Sequence, residues 1–262
     1  MESSEVITPL ITPFKDQRID FEGLEFNIRY QVQNKIDSIL ILGTTGEASL
    51  IGEPDRSKII ACATRSSSVP VMVNIGNYTI HATINHAIQA HDLGASSVLL
   101  MPPPYICPSD DGLINYFSSV ADKSMLPVIL YNHPKRTGVE LSFELVKKMA
   151  QHPKIIGIKD CSNSLLFAAQ IITNMKGFKY YAGDDLLSLP LKAIGSNGVF
   201  SVLANCIPGK IVSLIRNHSQ EIYQQLIPLM QLSCIETNPS PIKAMMNLLG
   251  LPAGIPIPPL SP

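Results

Sequence analysis

Several features are scarce or missing in this chain of 262 residues, and each absence argues against a class of function. Only 16% of the residues are charged, the net charge is −1, and no block of Lys and Arg occurs, so neither nucleic acid nor a membrane surface is indicated as a partner. No apolar run could span a bilayer, and the first residues lack the basic and apolar regions of a signal peptide. We therefore expect a soluble, cytoplasmic protein that binds a small molecule in a pocket.

Cysteine and histidine show no pattern typical of a disulfide framework or a metal centre. The five cysteines are scattered without a C-x-x-C pair, which favours free thiols in a reducing compartment. The six histidines lack the spacing of metal ligands, and the Asp184-Asp185 pair has no third carboxylate nearby, so we predict no metal site. Cys161 is interpreted as a small buried filler, not a nucleophile, because no histidine stands near it in sequence.

What the sequence does contain is an alternation of short apolar runs with longer amphipathic segments. Apolar residues make up 45% of the chain, enough for a large core. Near-continuous apolar strands separated by helices predict a parallel sheet covered on both faces. Eight strands are predicted, at 6–11, 38–43, 69–75, 97–101, 127–132, 155–159, 178–182 and 198–202. Eight such units favour an α/β fold of the closed (β/α)8 TIM barrel type, and the G-x-G-x-x-G turn of an open dinucleotide-binding sheet is absent.

Three further helix-like segments follow the eighth strand, at 208–216, 220–236 and 241–249, and the tail from residue 251 is rich in proline. We expect a barrel over residues 1–207 and a small C-terminal helical appendage over residues 208–262. The start signals Asp20, Ser142 and Ser164 stand where helix caps are expected, and Glu53-Pro54 stands where a first turn is expected.

Lys159 is the most informative candidate, because it ends an apolar run at 155–158. A buried ammonium is costly, and the burial that makes a lysine neutral also makes it a nucleophile. The alternative is a strand-end lysine whose stem is buried while its head reaches water. In a barrel of this kind the active site lies at the carboxyl ends of the strands, where other strands also end in polar residues.

Three of these polar groups have both a chemical and a plain interpretation. The turn holding Thr44 and Thr45 could offer N–H and hydroxyl groups to a carboxylate, or be only a turn. Tyr131 could be a general acid and base, or an amphipathic core residue. Arg136 could clamp a carboxylate through its fork, or be a solvated loop residue.

Taken together, these residues lie in motifs that closely resemble those of the dihydrodipicolinate synthase (4-hydroxy-tetrahydrodipicolinate synthase) family, over nearly the whole chain. The motifs are Thr8-Pro9-Leu10-Ile11-Thr12-Pro13-Phe14, Gly43-Thr44-Thr45-Gly46-Glu47, Tyr131-Asn132-x-Pro134-x-Arg136-Thr137-Gly138, Gly157-Ile158-Lys159-Asp160, Gly183-Asp184-Asp185, Gly198-Val199-Phe200-Ser201-Val202 and Glu236-Thr237-Asn238-Pro239-x-Pro241-x-Lys243. Pyruvate-dependent lyases of the wider superfamily share the lysine and the Tyr-Asn-x-Pro core, but they usually lack the arginine that stands here as Arg136.

The resemblance implies condensation of pyruvate with L-aspartate 4-semialdehyde to give 4-hydroxy-tetrahydrodipicolinate on the route to diaminopimelate and lysine. Lys159 would form a Schiff base with pyruvate, so no cofactor is expected, and Tyr131 would relay protons. Thr45 would hold the pyruvate carboxylate, and Arg136 would hold that of the second substrate.

The remaining roles implied by the resemblance involve a hydroxyl chain, a backbone carbonyl and a second subunit. Thr44 would link Tyr131 to Tyr105, which would reach in from the neighbouring subunit of a homo-oligomer, for which a dimer is expected and a tetramer is the alternative. Phe200, in place of a usual aliphatic residue, would present only its backbone carbonyl to the site.

Two alternatives remain open at this point. A sibling aldolase that cleaves a sugar acid, such as an N-acetylneuraminate or 2-keto-3-deoxy acid lyase, would use the same Lys159 and Tyr131. A non-catalytic barrel that binds a keto acid is the alternative from another class.

The chain also departs from the family pattern in two places. Pro104 stands where many members carry an aromatic residue, and Glu53 and Arg56 occupy the stretch where lysine-inhibited branches have histidines, so we expect weak or absent inhibition by lysine. The chain ends before the last helix usual in the family, which makes the dimer a safer expectation than the tetramer.

Overall fold

In a computed structural model, which describes residues 4–261, the chain forms a closed barrel of eight parallel strands. Residues 1–3, on which the signal-peptide argument partly depends, and residue 262 lie outside the described residues. The barrel strands are β1 Glu5–Pro9, β2 Ser38–Ile41, β3 Val71–Asn74, β4 Ser97–Leu100, β5 Val128–Asn132, β6 Ile155–Asp160, β7 Lys179–Ala182 and β8 Gly198–Phe200. Each pairs with its neighbours in chain order and β8 closes on β1, so the predicted (β/α)8 barrel is confirmed.

Helices fill the connections between the strands and continue beyond the last one. They are α1 Phe21–Gln33, α2 Glu53–Ser66, α3 Ile80–Asp92, α4 Asp110–Lys123, α5 Pro134–Thr137, α6 Phe143–Met149, α7 Leu165–Asn174, α8 Ser188–Ala193, α9 Pro208–Asn217, α10 Gln220–Leu232 and α11 Ser240–Leu248. The predicted caps are confirmed, since Asp20, Ser142 and Ser164 each accept a bond from a backbone N–H of the first turn. Helix α10 ends at Leu232, four residues before the predicted end at residue 236.

The barrel strands separate two apolar clusters, because successive side chains of a strand point to opposite faces. The outer cluster fills the space between strands and helices. The inner cluster fills the barrel itself and consists of Ile7, Leu40, Met72, Leu99, Ile129, Tyr131, Tyr181 and Phe200. Lys159 pairs in register with Tyr131 on one side and Tyr181 on the other, which places it beside this inner layer.

Gly157 lets β6 lie close to β7 at this level of the barrel. A Cβ at this position would lie 2.7 Å from the carbonyl oxygen of Lys179 and 3.2 Å from the Ile129 side chain. Only glycine avoids these contacts without a shift of the strands, so the glycine two residues before Lys159 helps fix where the lysine emerges.

The C-terminal segments pack on the barrel through helix and turn contacts. Helix α9 contacts β1 and α8, α10 packs on α9, and α11 packs on the 3-10 turn Leu203–Asn205 that follows β8. The tail is anchored as well, since the Asn27 side chain donates a hydrogen bond of 2.7 Å to the Pro252 carbonyl. The predicted boundary between a barrel over residues 1–207 and an appendage over residues 208–262 stays a prediction. Among residues 4–261, no helix combines the length and apolar character needed to cross a membrane.

Candidate active site

Two neighbouring cavities, of about 340 and 330 Å³, lie at the carboxyl ends of the barrel strands and share lining residues. The residues that line both are Thr44, Tyr131, Arg136, Lys159 and Asn238. Five of the seven predicted site residues therefore meet here, because Thr45 lines the second cavity too. A larger cavity of about 1080 Å³ lies around Glu5 and Lys179, where β1 and β7 begin. Barrels of this type carry their chemistry at the other end of the strands, so we take the smaller pair as the candidate active site.

Lys159 is held at the floor of this site by aromatic rings. Its side chain emerges at the end of β6, and the residue is only 6% exposed. Its Nζ lies 4.4 Å from the ring centroid of Tyr131 and 5.0 Å from that of Phe200. Among the ion pairs of residues 4–261, none involves Lys159. The amine is thus withdrawn from water without a paired carboxylate.

Burial lowers the pKa of Lys159 from its ordinary value, because the charged form loses its hydration. Cys161 and Asp185 oppose this shift, while the positive charge of Arg136 adds to it. Asp185 is itself buried, bonded to Ser201 and to the Leu203 N–H, and burial raises its pKa to about 6. The net direction favours a neutral amine, the form that attacks a carbonyl carbon.

Tyr131 stands beside Lys159, with Nζ of the lysine 4.4 Å from the centroid of its ring. The side chains of Thr44 and Cys161 are among the groups that act on the pKa of this phenol. Burial raises the pKa of Tyr131 well above its ordinary value, so the hydroxyl keeps its proton at neutral pH. A neutral hydroxyl can pass protons without placing a net charge inside the barrel.

The Thr44-Thr45 turn is fixed by residues from both ends of the chain. Thr45 Oγ1 accepts a hydrogen bond of 2.8 Å from the side-chain amide of Asn238. Thr12 donates a bond of 2.8 Å to the carbonyl of Gly46, within the same turn. The turn is therefore held from both sides before any ligand binds, as a preorganised anion site requires.

Glu47, the last residue of this motif, is bound to the C-terminal helix. Its Oε1 lies 2.5 Å from Nζ of Lys243, and both side chains are fully buried. Its Oε2 accepts a bond of 2.7 Å from the backbone N–H of Ile257 in the tail. Since Glu47 has a left-handed backbone (φ 56°), the ion pair also holds the turn in a conformation that non-glycine residues rarely adopt.

Arg136 stands in the short helix α5, which Gly138 ends in the left-handed conformation at φ 76°. Its guanidinium donates a bond of 3.4 Å to the carbonyl oxygen of Asn238. The side chain lines both cavities while remaining exposed, so its planar fork can bind a carboxylate entering from solvent.

Two of the predicted residues lie elsewhere than in the two cavities. Tyr105 is 91% exposed, its φ is 71°, and its N–H donates to the carbonyl of Thr137; in the described chain it does not line either cavity. Phe200 is fully buried in the barrel, and its ring, not only its backbone, approaches Lys159. Its ring also packs edge-on against Tyr181, at 5.5 Å between centroids.

Sequence reasoning assigned no role to several residues that build the site. Asn238 and Lys243 belong to the motif at residues 236–243, so membership in that motif could have marked them as residues of the site. Asp160 lies next to the catalytic candidate in sequence, and its carboxylate accepts bonds from Asn132, Tyr180 and Ser162 at 2.8–3.1 Å. This network secures the ends of β5 and β6, and therefore the positions of Tyr131 and Lys159.

Cys161 also has contacts that the sequence did not indicate. It lines the second cavity, and its thiol lies 3.4 Å from the carbonyl oxygen of Gly183. The expected absence of a metal site stays a prediction; within residues 4–261, no three His, Cys, Asp or Glu residues are grouped as metal ligands would be.

Comparison of the chain with known proteins shows the family to which it belongs. A sequence model described as the Dihydrodipicolinate synthetase family matches residues 2–262. The 4-hydroxy-tetrahydrodipicolinate synthase of Methanococcoides burtonii is 38% identical over 267 residues, covering 98% of this chain and 92% of that protein. This chain belongs to the dihydrodipicolinate synthetase family.

Solved structures of the family share the fold throughout. The chloride-inhibited dihydrodipicolinate synthase of Acinetobacter baumannii, complexed with pyruvate, is 29% identical with a TM-score of 0.95, over 100% of this chain and 94% of that one. A dihydrodipicolinate synthase described as the first monomeric variant is 31% identical with the same TM-score of 0.95, over 99% and 91% of the two chains.

Proposed function

We propose that this protein is a Schiff-base-forming lyase that condenses pyruvate with L-aspartate 4-semialdehyde. The product is 4-hydroxy-tetrahydrodipicolinate, on the route to diaminopimelate and lysine. The observation that carries the proposal is Lys159, a buried amine of lowered pKa at the mouth of a barrel of this family. Two aromatic rings lie against it, and no carboxylate of residues 4–261 forms an ion pair with it. The named activity of the Methanococcoides burtonii relative supports it.

The first half of the reaction uses Lys159, Tyr131 and the Thr44-Thr45 turn. The neutral amine attacks the keto carbon of pyruvate, a carbinolamine forms, and loss of water gives the imine. The hydroxyl of Tyr131 carries the protons that this exchange requires, with Thr44 as its neighbour. The hydroxyl and backbone of Thr45 hold the pyruvate carboxylate. Loss of a proton from the pyruvate methyl group gives the enamine, so the lysine itself supplies the electron sink and no cofactor is required.

The second half joins the enamine carbon to the aldehyde carbon of the semialdehyde. The aldehyde oxygen takes a proton from Tyr131, and attack by the substrate amino group on the imine carbon closes the ring and releases Lys159. Arg136 binds the second carboxylate, and the carbonyl of Asn238 orients its guanidinium from behind. Phe200 contributes its backbone carbonyl, as the resemblance implies, and its ring lies 5.0 Å from the amine of Lys159.

We propose a homo-oligomer in which Tyr105 of a second copy completes the hydroxyl chain through Thr44. The exposed ring of Tyr105 supports this, because other large apolar side chains near it are exposed as well. Ile106 follows it in the sequence, and Leu50 and Tyr78 line the first cavity. A dimer is the expected state and a tetramer the larger alternative. The monomeric variant among the solved relatives means that the fold alone does not set the number of copies, and light scattering decides it.

We also propose weak or absent inhibition by lysine, and a cytoplasmic location. Arg56 is buried and bonded to the carbonyl of Asn74, while Glu53 Oε1 lies 2.8 Å from Nε2 of His86, so both groups are already engaged within the chain. Inhibition by sub-millimolar lysine in a steady-state assay would contradict the first proposal. The five free cysteines suit a reducing compartment.

The decisive experiment is reductive trapping followed by an assay with both substrates. The protein is incubated with pyruvate and borohydride, and the adduct is mapped by peptide mass spectrometry; we expect it on Lys159 of the wild type and not in Lys159→Ala. No adduct on the wild type would overturn the enzyme proposal and favour a keto-acid-binding barrel.

Arg136→Lys then tests the second substrate. The variant keeps the positive charge but loses the fork, so we expect normal trapping of pyruvate and a KM for the semialdehyde raised about tenfold or more. Cleavage of sialic or 2-keto-3-deoxy acids by the wild type, without semialdehyde condensation, would favour the sibling aldolase instead.

A further inference from the structure

Asn74 places a buried amide in the wall of the first cavity, among residues that already have proposed roles. It ends strand β3, after the apolar residues Val71, Met72 and Val73. Met72 belongs to the inner cluster of the barrel, and side chains alternate along a strand, so the side chain of Asn74 faces the interior as well. The residue is only 6% exposed, although an amide is a poor filler for an apolar interior.

The backbone at the end of β3 is held from outside the barrel, by contacts that do not use this amide. The guanidinium of Arg56, a buried residue of α2, donates a hydrogen bond to the carbonyl oxygen of Asn74. The next carbonyl oxygen, of Ile75, lies 3.3 Å from Nδ1 of His86 in α3. Asn74 also pairs in register with Leu99 of β4. These contacts fix where the side chain of Asn74 starts.

Within residues 4–261, Oδ1 of Asn74 has no hydrogen-bond partner, although it is withdrawn from bulk water. Such a group lowers stability, because the hydrogen bonds that it makes to water in the unfolded chain are not replaced. An apolar side chain would avoid this cost. A polar group of this kind in the wall of a cavity is therefore best explained by a ligand that supplies its partner.

The first cavity also holds Arg136 and Lys159, which are proposed to bind the carboxylate of the semialdehyde and to carry pyruvate. A semialdehyde bound between them lies in the cavity that Asn74 lines. Its carboxylate is proposed to meet Arg136 and its aldehyde oxygen to meet Tyr131, whereas its amino group has no assigned partner. At neutral pH that group is an ammonium, which only donates hydrogen bonds, and an amide oxygen only accepts them. The two groups are complementary.

Three of the side chains that line the first cavity carry a carboxylate or amide oxygen, and the other two are less suited to this role. Glu47 is bound to Lys243 and to the backbone N–H of Ile257. Asn238 has an amide oxygen without a partner in the described part of the chain, but its Nδ2 donates to Thr45 and so holds the amide at the pyruvate end of the site.

Resting on the proposed function, we infer that Asn74 is a substrate-binding residue whose amide oxygen accepts a hydrogen bond from the amino group of L-aspartate 4-semialdehyde. The amino group and the carboxylate bound by Arg136 belong to the same carbon atom, so the two residues together fix the hand of the substrate relative to Lys159. Asn74 thereby selects this semialdehyde over an aldehyde acid that lacks the amino group. The pyruvate half of the reaction does not involve it.

The test compares L-aspartate 4-semialdehyde with succinate semialdehyde, which lacks only the amino group. In Asn74→Ala we expect the KM for the first to rise about tenfold or more, because the ammonium loses its acceptor. The KM for the second, or its inhibition constant if it is not turned over, should stay within about twofold of wild type. Asn74→Asp keeps an acceptor and should keep the preference. Asn85→Ala, at an exposed residue of α3, is the control and should match wild type with both.

The outcomes separate this inference from the proposed function. Equal changes for the two aldehydes in Asn74→Ala, or no change, would mean that Asn74 only shapes the cavity and would overturn the inference. If Asn74→Ala does not fold, the ratio of the two constants in Asn74→Asp decides. We expect it to be kept or to grow, since a carboxylate holds an ammonium more strongly than an amide does, and a fall towards unity would overturn the inference. Failure of pyruvate trapping, or of condensation with L-aspartate 4-semialdehyde, in the wild type would instead remove the proposed function.

Discussion

Lys159 and Lys243 are both buried lysines, at 6% and 0% exposure, and their surroundings differ in one respect. Lys243 lies 2.5 Å from the carboxylate of Glu47 and 4.2 Å from the ring centroid of Phe14. Lys159 also has aromatic neighbours, but its ammonium has no ion-pair partner among residues 4–261. Burial lowers the pKa of both amines, and only at Lys243 does a bonded carboxylate oppose the shift.

The presence or absence of a counter-ion thus separates a structural lysine from the one that we propose to be reactive. A buried pair is stable only while both partners remain, whereas a buried amine without a partner can be neutral and nucleophilic. The two lysines are also linked, because Glu47 belongs to the turn of Thr44 and Thr45. Lys243 thus helps to hold the turn that is proposed to bind the carboxylate of the substrate, beside the amine of Lys159 that is proposed to attack it.

The largest expected effect is the loss of activity in Lys159→Met. Without the amine no imine forms, so we expect kcat/KM to fall by about 10⁴-fold or more, as for other covalent nucleophiles, with no borohydride adduct. The folded state should be as stable as wild type or more stable by about 1 kcal/mol, because an apolar chain replaces a buried amine that forms no ion pair within residues 4–261. Urea unfolding checks this, and a clear loss of stability would contradict the contrast with Lys243.

The second prediction concerns Lys243→Met, which leaves Glu47 buried without its partner. We expect the free energy of unfolding to fall by about 3–5 kcal/mol, measured by urea denaturation. The double variant Lys243→Met with Glu47→Gln removes the charge as well and should recover a large part of that loss. Lys58→Met is the matched control, because its pair with Asp55 is exposed and should cost at most about 1 kcal/mol. Equal losses for the two lysines would contradict the structural role of the buried pair.

The third prediction uses pH to show that Lys159 is neutral when folded. Its folded pKa lies below the ordinary value of 10.5, so between these two values the unfolded chain holds a proton that the folded chain does not. Wild type should therefore become less stable, relative to Lys159→Met, by about 1.4 kcal/mol per unit as pH falls through this window. The difference between the free energies of unfolding of wild type and Lys159→Met should be constant above pH 10.5 and again below the folded pKa. If this difference does not change with pH anywhere, Lys159 stays charged in the folded protein.

The two lysines also differ in how much of their surroundings could be predicted from the sequence. The position of Lys159 follows from a local pattern, an apolar strand ending in a lysine, and the order of eight such strands places it at the barrel mouth. The partner of Lys243 follows from no local pattern. The bonds from Asn238 to Thr45 and from Ile257 to Glu47 join segments separated by 193 and 210 residues. Such contacts depend on how remote segments pack. The resemblance pointed to Thr45, Glu47 and Asn238, but it did not predict which residues they would contact.

For two of the predicted site residues, the order of the strands was not enough to predict the surroundings of the side chain. The contribution proposed for Tyr105 requires a second copy of the chain, so neither the sequence nor one exposed side chain gives the surroundings that it would have there. For Phe200 the resemblance implied a backbone role, but the direction of a side chain inside a barrel depends on register. Its pairing with Ile7 places the ring in the inner layer, where it meets the amine of Lys159.

The smallest expected effect comes from Phe200→Leu, which removes one of the two rings near the amine. A ring face favours the charged ammonium, so its loss should lower the pKa of Lys159 further. We expect the acid limb of the pH profile of pyruvate trapping to move down by about half a unit, corresponding to the lower range of cation–π energies. Met72→Leu, in the same inner cluster, changes packing without removing a ring and should leave the limb in place. An upward shift in Phe200→Leu would mean that the ring acts mainly by excluding water, which makes burial, and not the aromatic contact, the cause of the difference between the two lysines.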